Sequence, residues 1–277
     1  MKIGIFHDCL VGKGGAERVV IDLANHLNAD LITAGFNPEL KKWINIKTRI
    51  IDIGNISMNY SYSIGYNIEA PLRFFLNKKK LDYDVYIFSG ISSIFAVRKN
   101  TKSIWFCHSP NRILYDLKDI KFNKASIIKK LFYKIYIKIL YSKDQEVIKN
   151  NMQKIIANSK NVQKRIKKYY DKKSNVIYSP IDSKEFKFKE FGDFYLAVSR
   201  LTPEKRMNLI ARAFTKLPDK KLILVGDGPE KKSILRVIGK HKNIKLLTDV
   251  DDKKLKELYS TCLATVYMPL DEDFGLV

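Results

Sequence analysis

Phe194-Tyr195-Leu196-Ala197-Val198-Ser199-Arg200-Leu201-Thr202-Pro203-Glu204-Lys205 is the stretch that decides the fold. The apolar run Phe194 to Val198 reads as a buried strand, and a helix start follows it at once, with Thr202 as a plausible N-cap and Pro203 at the first helical position. A strand that ends where a helix begins is the repeating unit of a doubly wound parallel sheet, whose ligands sit at the strands' carboxyl ends. Arg200 leaves the strand's carboxyl end and Lys205 falls in the helix's first turn, so two cations and unpaired backbone N–H groups converge on one crevice. That combination suits a diphosphate. The plain alternative is a surface Arg and Lys beside a helix start, and the surrounding sequence has to decide between them.

Downstream, the alternation continues with helix Pro203 to Leu217, strand Lys221 to Val225, helix Pro229 to Gly239, strand Ile244 to Leu247, helix Asp252 to Ser260 and strand Ala264 to Met268. Gly226-Asp227-Gly228-Pro229 is either a backbone shaped for close ligand approach or a tight turn with no contact. Upstream, the polar segment Ser183 to Gly192 shows no period and reads as the linker, giving domains 1–188 and 189–277.

The first domain opens with strand Lys2 to His7, the loop Asp8 to Gly15 and an amphipathic helix Ala16 to Leu27 carrying Val19, Val20, Leu23 and Leu27. Gly12, Gly14 and Gly15 permit close backbone approach, and the helix N-terminus behind them favours an anion. Glu17 stands where the dinucleotide fingerprint needs its third glycine, and no acidic residue closes a second strand near Ala34, which argues against a nicotinamide enzyme. Further strands are expected at Leu31 to Ala34, Thr48 to Ile53, Val85 to Ser89, Ser103 to Cys107, Lys154 to Ala157 and Asn175 to Tyr178, with a basic helix at Lys160 to Tyr170. His108 follows the strand at Ser103, at its carboxyl end, and the loop after it carries Arg112 and Asp116.

From Asn123 to about Asn150 one long helix is expected. Ile127, Leu131, Ile135 and Ile139 form one row, Ile128, Phe132, Tyr136 and Leu140 a second, and Lys130, Lys134 and Lys138 a third. The apolar rows suit packing on the sheet, while the lysine row suits an acceptor or an anionic membrane surface.

The chain has 277 residues, 45% of them hydrophobic, and a formal net charge of +22, which asks for an anionic partner. Lysines interleaved with Tyr133, Tyr136 and Tyr141 raise nucleic-acid binding as a competing reading. The helical period buries several of those aromatics and no nucleic-acid motif is present, so no nucleic-acid partner is expected. Cys9, Cys107 and Cys262 lack metal-ligand spacing, and neither a signal peptide nor a membrane span is read, so a reduced, cytoplasmic protein that is soluble or peripheral on the inner membrane face is expected.

Six stretches in order carry a resemblance: Gly14-Gly15-Ala16-Glu17-Arg18-Val19, Cys107-His108-Ser109-Pro110, Ala157-Asn158-Ser159-Lys160, Ser199 to Lys205, Gly226-Asp227-Gly228-Pro229-Glu230 and Glu272-Asp273-Phe274-Gly275. Together they resemble the retaining nucleotide-sugar glycosyltransferases of family 4, mannosyltransferase-like branch. The resemblance implies the α/β GT-B fold, with two Rossmann-like doubly wound domains facing a central cleft, the first holding the acceptor and the second the donor. It implies a hexose, mannose above others, moved from GDP-mannose or a UDP sugar to a saccharide or lipid-linked acceptor in cell-surface polysaccharide or glycolipid synthesis. No metal or other cofactor is implied. Arg200 and Lys205 would neutralise the leaving diphosphate, Gly14, Gly15 and Gly226 would approach the donor, and His108 would sit beside the transferred sugar. Glu272 matches the first acid of the family's Glu-x7-Glu motif, which contacts the sugar, and the backbone of Phe274, Gly275 and Leu276 would approach sugar and phosphates. The second acid would lie three residues beyond Val277, so the chain is expected to be a C-terminally shortened fragment, with an inactive fragment that binds only acceptor or membrane as a further alternative.

Overall fold

The computed structural model describes residues 1–12, 14–42, 44–54, 64–77, 81–116, 127–181 and 183–277, with backbone only for 64–67 and 127–133. The chain divides into two compact units, Met1–Pro180 and Ile181–Val277.

The first unit carries β1 (Ile3–His7), α1 (Gly15–Leu27), β2 (Asp30–Thr33), β3 (Ile50–Asp52), α2 (Ile64–Leu76), β4 (Val85–Ser89), β5 (Ser103–Cys107), α3 (Ile127–Glu146), β6 (Lys154–Ala157), α4 (Lys160–Tyr170) and β7 (Asn175–Val176). All seven strands run parallel in the order β3-β2-β1-β4-β5-β6-β7. Their apolar sequences follow from burial on both sides, as parallel sheets require. Phe6, Ile32, Phe88, Trp105 and Ala157 share one face and form a core with Ala70 and Phe74 of α2, Leu140 of α3 and Val162, Ile166 and Tyr170 of α4. Ile5, Leu31 and Ile87 alternate to the other side. Trp105 is fully buried and its indole N–H donates to the Gly90 carbonyl at 3.0 Å, which removes the cost of an unpaired donor. Ser159 caps α4, its hydroxyl accepting from the Val162 N–H at 3.0 Å.

The second unit carries β8 (Phe194–Val198), α5 (Met207–Phe214), β9 (Lys221–Val225), α6 (Lys231–Ile238), β10 (Ile244–Leu247), α7 (Asp252–Thr261) and β11 (Ala264–Thr265). Its four strands are parallel in the order β10-β9-β8-β11. Met207, Ile210, Ala211 and Phe214 of α5 and Ile234 of α6 pack with Ala197, Leu222 and Leu224, while Leu258 of α7 packs with Leu196 and Val225.

Several expectations change. The unit boundary falls between Pro180 and Ile181 instead of at 188, because the segment read as a linker is docked on the second unit. Lys189 and Gly192 N–H groups donate to the carbonyls of Ser260 and Thr261, Phe186 rests on Tyr259, and Glu185 pairs with Lys256. The helix after β8 is broken. Pro203–Lys205 is a single 3-10 turn, Arg206 takes the left-handed conformation at φ 53°, and only then does α5 begin. The apolar spacing of Met207, Ile210, Ala211 and Phe214 fixes the axis of α5 on the sheet, while Leu201 is tied to the loop after β9, and one continuous helix cannot satisfy both. Thr202 gives no side-chain cap, and its hydroxyl donates to Glu204 Oε1 at 2.8 Å. The long helix expected from Asn123 ends at Glu146 and passes into a π-turn, Val147–Asn151, while 123–126 lie outside the described residues. Leu27, expected on the buried side of α1, is exposed at the helix's last turn.

Candidate functional site

In the second unit Lys205, Tyr267 and Glu272 meet at one atom. Lys205 Nζ donates to Glu272 Oε2 at 2.6 Å and Tyr267 OH donates to the same oxygen at 2.6 Å, while the Asp273 N–H donates to Oε1 at 3.3 Å. The Lys205 and Glu272 side chains are only 15% and 22% exposed, so this ion pair is shielded from solvent. Burial pushes the Glu272 carboxyl up, but the two hydrogen bonds and the charges of Lys205 and Arg200 outweigh it and hold its pKa below the usual value. The Tyr267 phenol moves up, through burial and then its bond to the Glu272 carboxylate. Arg200 itself is exposed on the loop after β8.

The backbone keeps these groups together. The Leu270 N–H donates to the Glu204 carbonyl at 2.7 Å, tying the 3-10 turn to the loop after β11. Gly275, at φ 82°, lies where a Cβ would touch the Tyr267 ring at 3.6 Å and Glu272 Cγ at 3.7 Å, and Phe274 and Leu276 flank it half-buried. Gly226, at φ 150°, is used by the chain's own backbone, since a Cβ there would lie 1.9 Å from the Ser199 carbonyl oxygen. The close approach read from its sequence is therefore made by the loop that carries Arg200.

Tyr267 had no signal in the sequence, where it reads as one more apolar strand residue. Its neutral donor helps keep Glu272 ionised, so Tyr267→Phe is expected to raise the Glu272 pKa by about one unit, as loss of a hydrogen bond to a charged group implies. Carbon-detected NMR titration of the glutamate side chains checks this, and an unmoved Glu272 would leave Tyr267 as packing only.

In the first unit the strand ends collect a second polar group. His7 Nδ1 lies 3.2 Å from Ser89 Oγ, which lies 2.9 Å from His108 Nε2, so one hydroxyl bridges two imidazoles. The pairing of His7 with Ser89 across β1 and β4 sets this arrangement, and β5 delivers His108 just beyond Cys107. Burial lowers the His7 pKa to about 4, and burial with the neighbouring His7 lowers that of His108 to about 3. Both rings are therefore neutral near pH 7, able to accept or donate hydrogen bonds without charge. Asp8 anchors the floor beneath them, its carboxylate accepting the N–H groups of Ile91, Ser92 and Ser93 at 2.9, 2.8 and 2.7 Å. Sequence reading singled out His108 alone; the register of β1 with β4 is what makes His7 and Ser89 its partners.

Other candidates are placed less favourably for a ligand. Gly14 is the N-cap of α1 and Gly15 its first residue, but the Glu17 carboxylate lies so close that a Cβ on Gly14 would meet it at 2.0 Å. Arg112 is engaged by Asp116, Nη2 to Oδ2 at 2.8 Å. Lys134 and Lys138 are exposed on α3, and the side chain of Lys130 lies outside the described residues, as do those of Ile127, Ile128, Leu131 and Phe132. Among the described residues no group of three or more His, Cys, Asp or Glu is placed to hold a metal ion.

Residues 13–185 match the model of glycosyltransferase family 4, and residues 179–277 match that of glycosyl transferases group 1. The chain belongs to glycosyltransferase family 4. Both units are accounted for by these two matches, and the enzyme class, a glycosyltransferase, follows from them. Among solved structures, Anabaena HepE in complex with UDP and glucose superposes with a TM-score of 0.70 at 17% identity, over 99% of this chain and 76% of that one. TarM of S. aureus gives 0.63 at 13% identity over 99% and 81%, and the lipopolysaccharide outer core galactosyltransferase WaaB gives 0.57 at 14% over 97% and 74%. At these identities the likeness speaks for the fold, which is GT-B. No curated protein sequence matches the chain.

Proposed function

We propose that this family 4 enzyme is a retaining hexosyltransferase that uses a nucleoside-diphosphate sugar and passes the sugar to a saccharide or lipid-linked acceptor of a cell-surface polysaccharide or glycolipid. The observation that carries the donor half is the grouping of Arg200, Lys205, Tyr267 and Glu272 within the second unit. A leaving diphosphate needs positive charge that strengthens as the glycosidic bond breaks, and two cations at one strand end supply it without a metal. Lys205 is held by Glu272 until a more highly charged phosphate competes for it, and Tyr267 then keeps the carboxylate in place for the sugar hydroxyls. The backbone of Phe274, Gly275 and Leu276 shapes the same donor side, and Gly226 serves it only by holding the loop that carries Arg200. On the first unit the neutral His108, fixed by Ser89, offers an uncharged hydrogen bond suited to a sugar hydroxyl.

Mannose fits the motif resemblance, whereas the UDP and UDP-glucose bound to HepE favour a uridine donor. A ligand that binds only the folded state raises the melting temperature, by about 2.7 kcal/mol of stabilisation at a hundred times its dissociation constant. UDP, GDP, UDP-glucose and GDP-mannose without added metal form the panel. Stabilisation by one base, retained in EDTA, is the expected result. No shift with any of the four would overturn the donor assignment.

A further inference from the structure

We propose that the outer surface of the first unit's helical layer, formed by α2 and α3, docks on an anionic lipid bilayer. On α3, Tyr136, Ile137 and Leu140 turn inward to the sheet core, while Ile135 and Ile139 are 57% and 61% exposed beside the exposed Lys134 and Lys138. Positions i, i+1, i+4 and i+5 of a helix form one strip, so two aliphatic side chains and two ammonium groups share a face. α2 packs on the same core through Ala70 and Phe74 and turns Leu72, Phe75 and Leu76 outward, at 50%, 62% and 57% exposure. Large apolar side chains left in water on two helices of one layer mark an interaction surface.

Charge selects its occupant. Between residues 127 and 143 lysine stands at 129, 130, 134, 138 and 143 and there is no Asp or Glu. The next acid, Asp144, is turned inward and accepts from Tyr115 and Tyr170 at 2.5 and 2.9 Å, so it does not offset the lysines. Lys143 pairs with Glu146 at 2.8 Å, while Lys134 and Lys138 are exposed beside Ile135 and Ile139. Aliphatic side chains flanked by exposed lysines match the interfacial helix of a peripheral protein, whose apolar side enters the acyl boundary while the ammonium groups meet lipid phosphates. Among the described residues no helix is long and apolar enough to cross a membrane, and the proposal is for lying on the surface, not spanning it.

The test is sedimentation of the whole chain with phosphatidylcholine vesicles, with and without about one-third phosphatidylglycerol, at low and high salt. Binding to the anionic vesicles alone, weakened by salt, is expected. Ile135→Glu with Ile139→Glu should lower the partition coefficient at least about tenfold, and Lys134→Gln or Lys138→Gln roughly fivefold each, with melting temperatures unchanged because all four side chains are exposed. Equal binding to neutral vesicles, no binding, or binding that survives the double isoleucine variant would overturn the proposal. So would a concentration-dependent dimer abolished by the same variant, which would assign the face to a second copy. None of these readouts involves the nucleotide, so the docking surface and the donor site fail or stand separately.

Discussion

Replacing Arg200 or Lys205 by alanine is expected to lower donor turnover by about a hundredfold to a thousandfold each, the range found when one preorganised group that stabilises developing charge is removed. The two variants should differ in everything else. Arg200 is exposed and acts on Glu272 through its charge, so Arg200→Ala is expected to melt close to the parent chain. Lys205→Ala removes the hydrogen-bonded cation from a carboxylate that is largely shielded, and should also destabilise the second unit. Lys205→Arg separates the two effects, because it restores the charge on a side chain of different reach. Initial rates over a range of donor concentrations check this. A loss confined to KM would mean that the cations bind the diphosphate equally in ground and transition states, and unchanged kinetics in Arg200→Ala would remove it from the leaving-group role.

The strand and helix alternation was legible because each strand is buried on both faces and each helix carries a one-sided apolar stripe. β4, β5, β6, β8, β9 and β10 match the expected spans. What escaped was set by contacts distant in sequence. The break at Arg206 follows from Leu201 being bonded to Asp227 and Glu230 of another loop, which no local propensity encodes. The segment 183–192 looks like a linker because its apolar residues lack a period, yet Phe186 and the backbone of Lys189 and Gly192 are matched to α7. At the candidate site Arg200, Lys205 and His108 were legible as charged or titratable groups at strand ends, and Glu272 through the family resemblance alone. Tyr267 and Ser89 were not, since each acquires its role only through a partner, Glu272 in one case and two histidines in the other. The glycines were legible as close-approach positions, but sequence could not say that Ser199 and Glu17 of the chain itself are what approach Gly226 and Gly14.

Acidification is expected to destabilise the first unit through its buried imidazoles, and His108→Gln should relieve part of that loss. His7 and His108 have pKa values of about 4 and about 3 in the fold against 6.5 for the free side chain. Between those limits the unfolded chain binds protons that the folded chain does not, so stability falls as the pH drops, by about 2 kcal/mol per histidine between about pH 7 and about pH 5. Asp144 acts in the opposite sense. Burial raises its pKa to about 6 despite the bonds from Tyr115 and Tyr170, so the folded state holds a proton that the unfolded state has released, and acidification over the same window strengthens the fold by about 1 kcal/mol. The buried Asp8, also shifted upward, adds to that side. The wild-type profile therefore mixes opposing contributions, and the difference between wild type and His108→Gln isolates one imidazole. Glutamine can still meet Ser89 Oγ and does not titrate, so the variant should gain about 2 kcal/mol on the wild type between about pH 7 and about pH 5. Urea unfolding followed by tryptophan fluorescence reads this selectively, because both tryptophans of the chain, Trp43 and Trp105, precede Pro180 and report on the first unit. A difference that stays flat across the window would show that His108 keeps the proton affinity of a solvated imidazole, and the neutral hydrogen-bonding role assigned to it would go with that result.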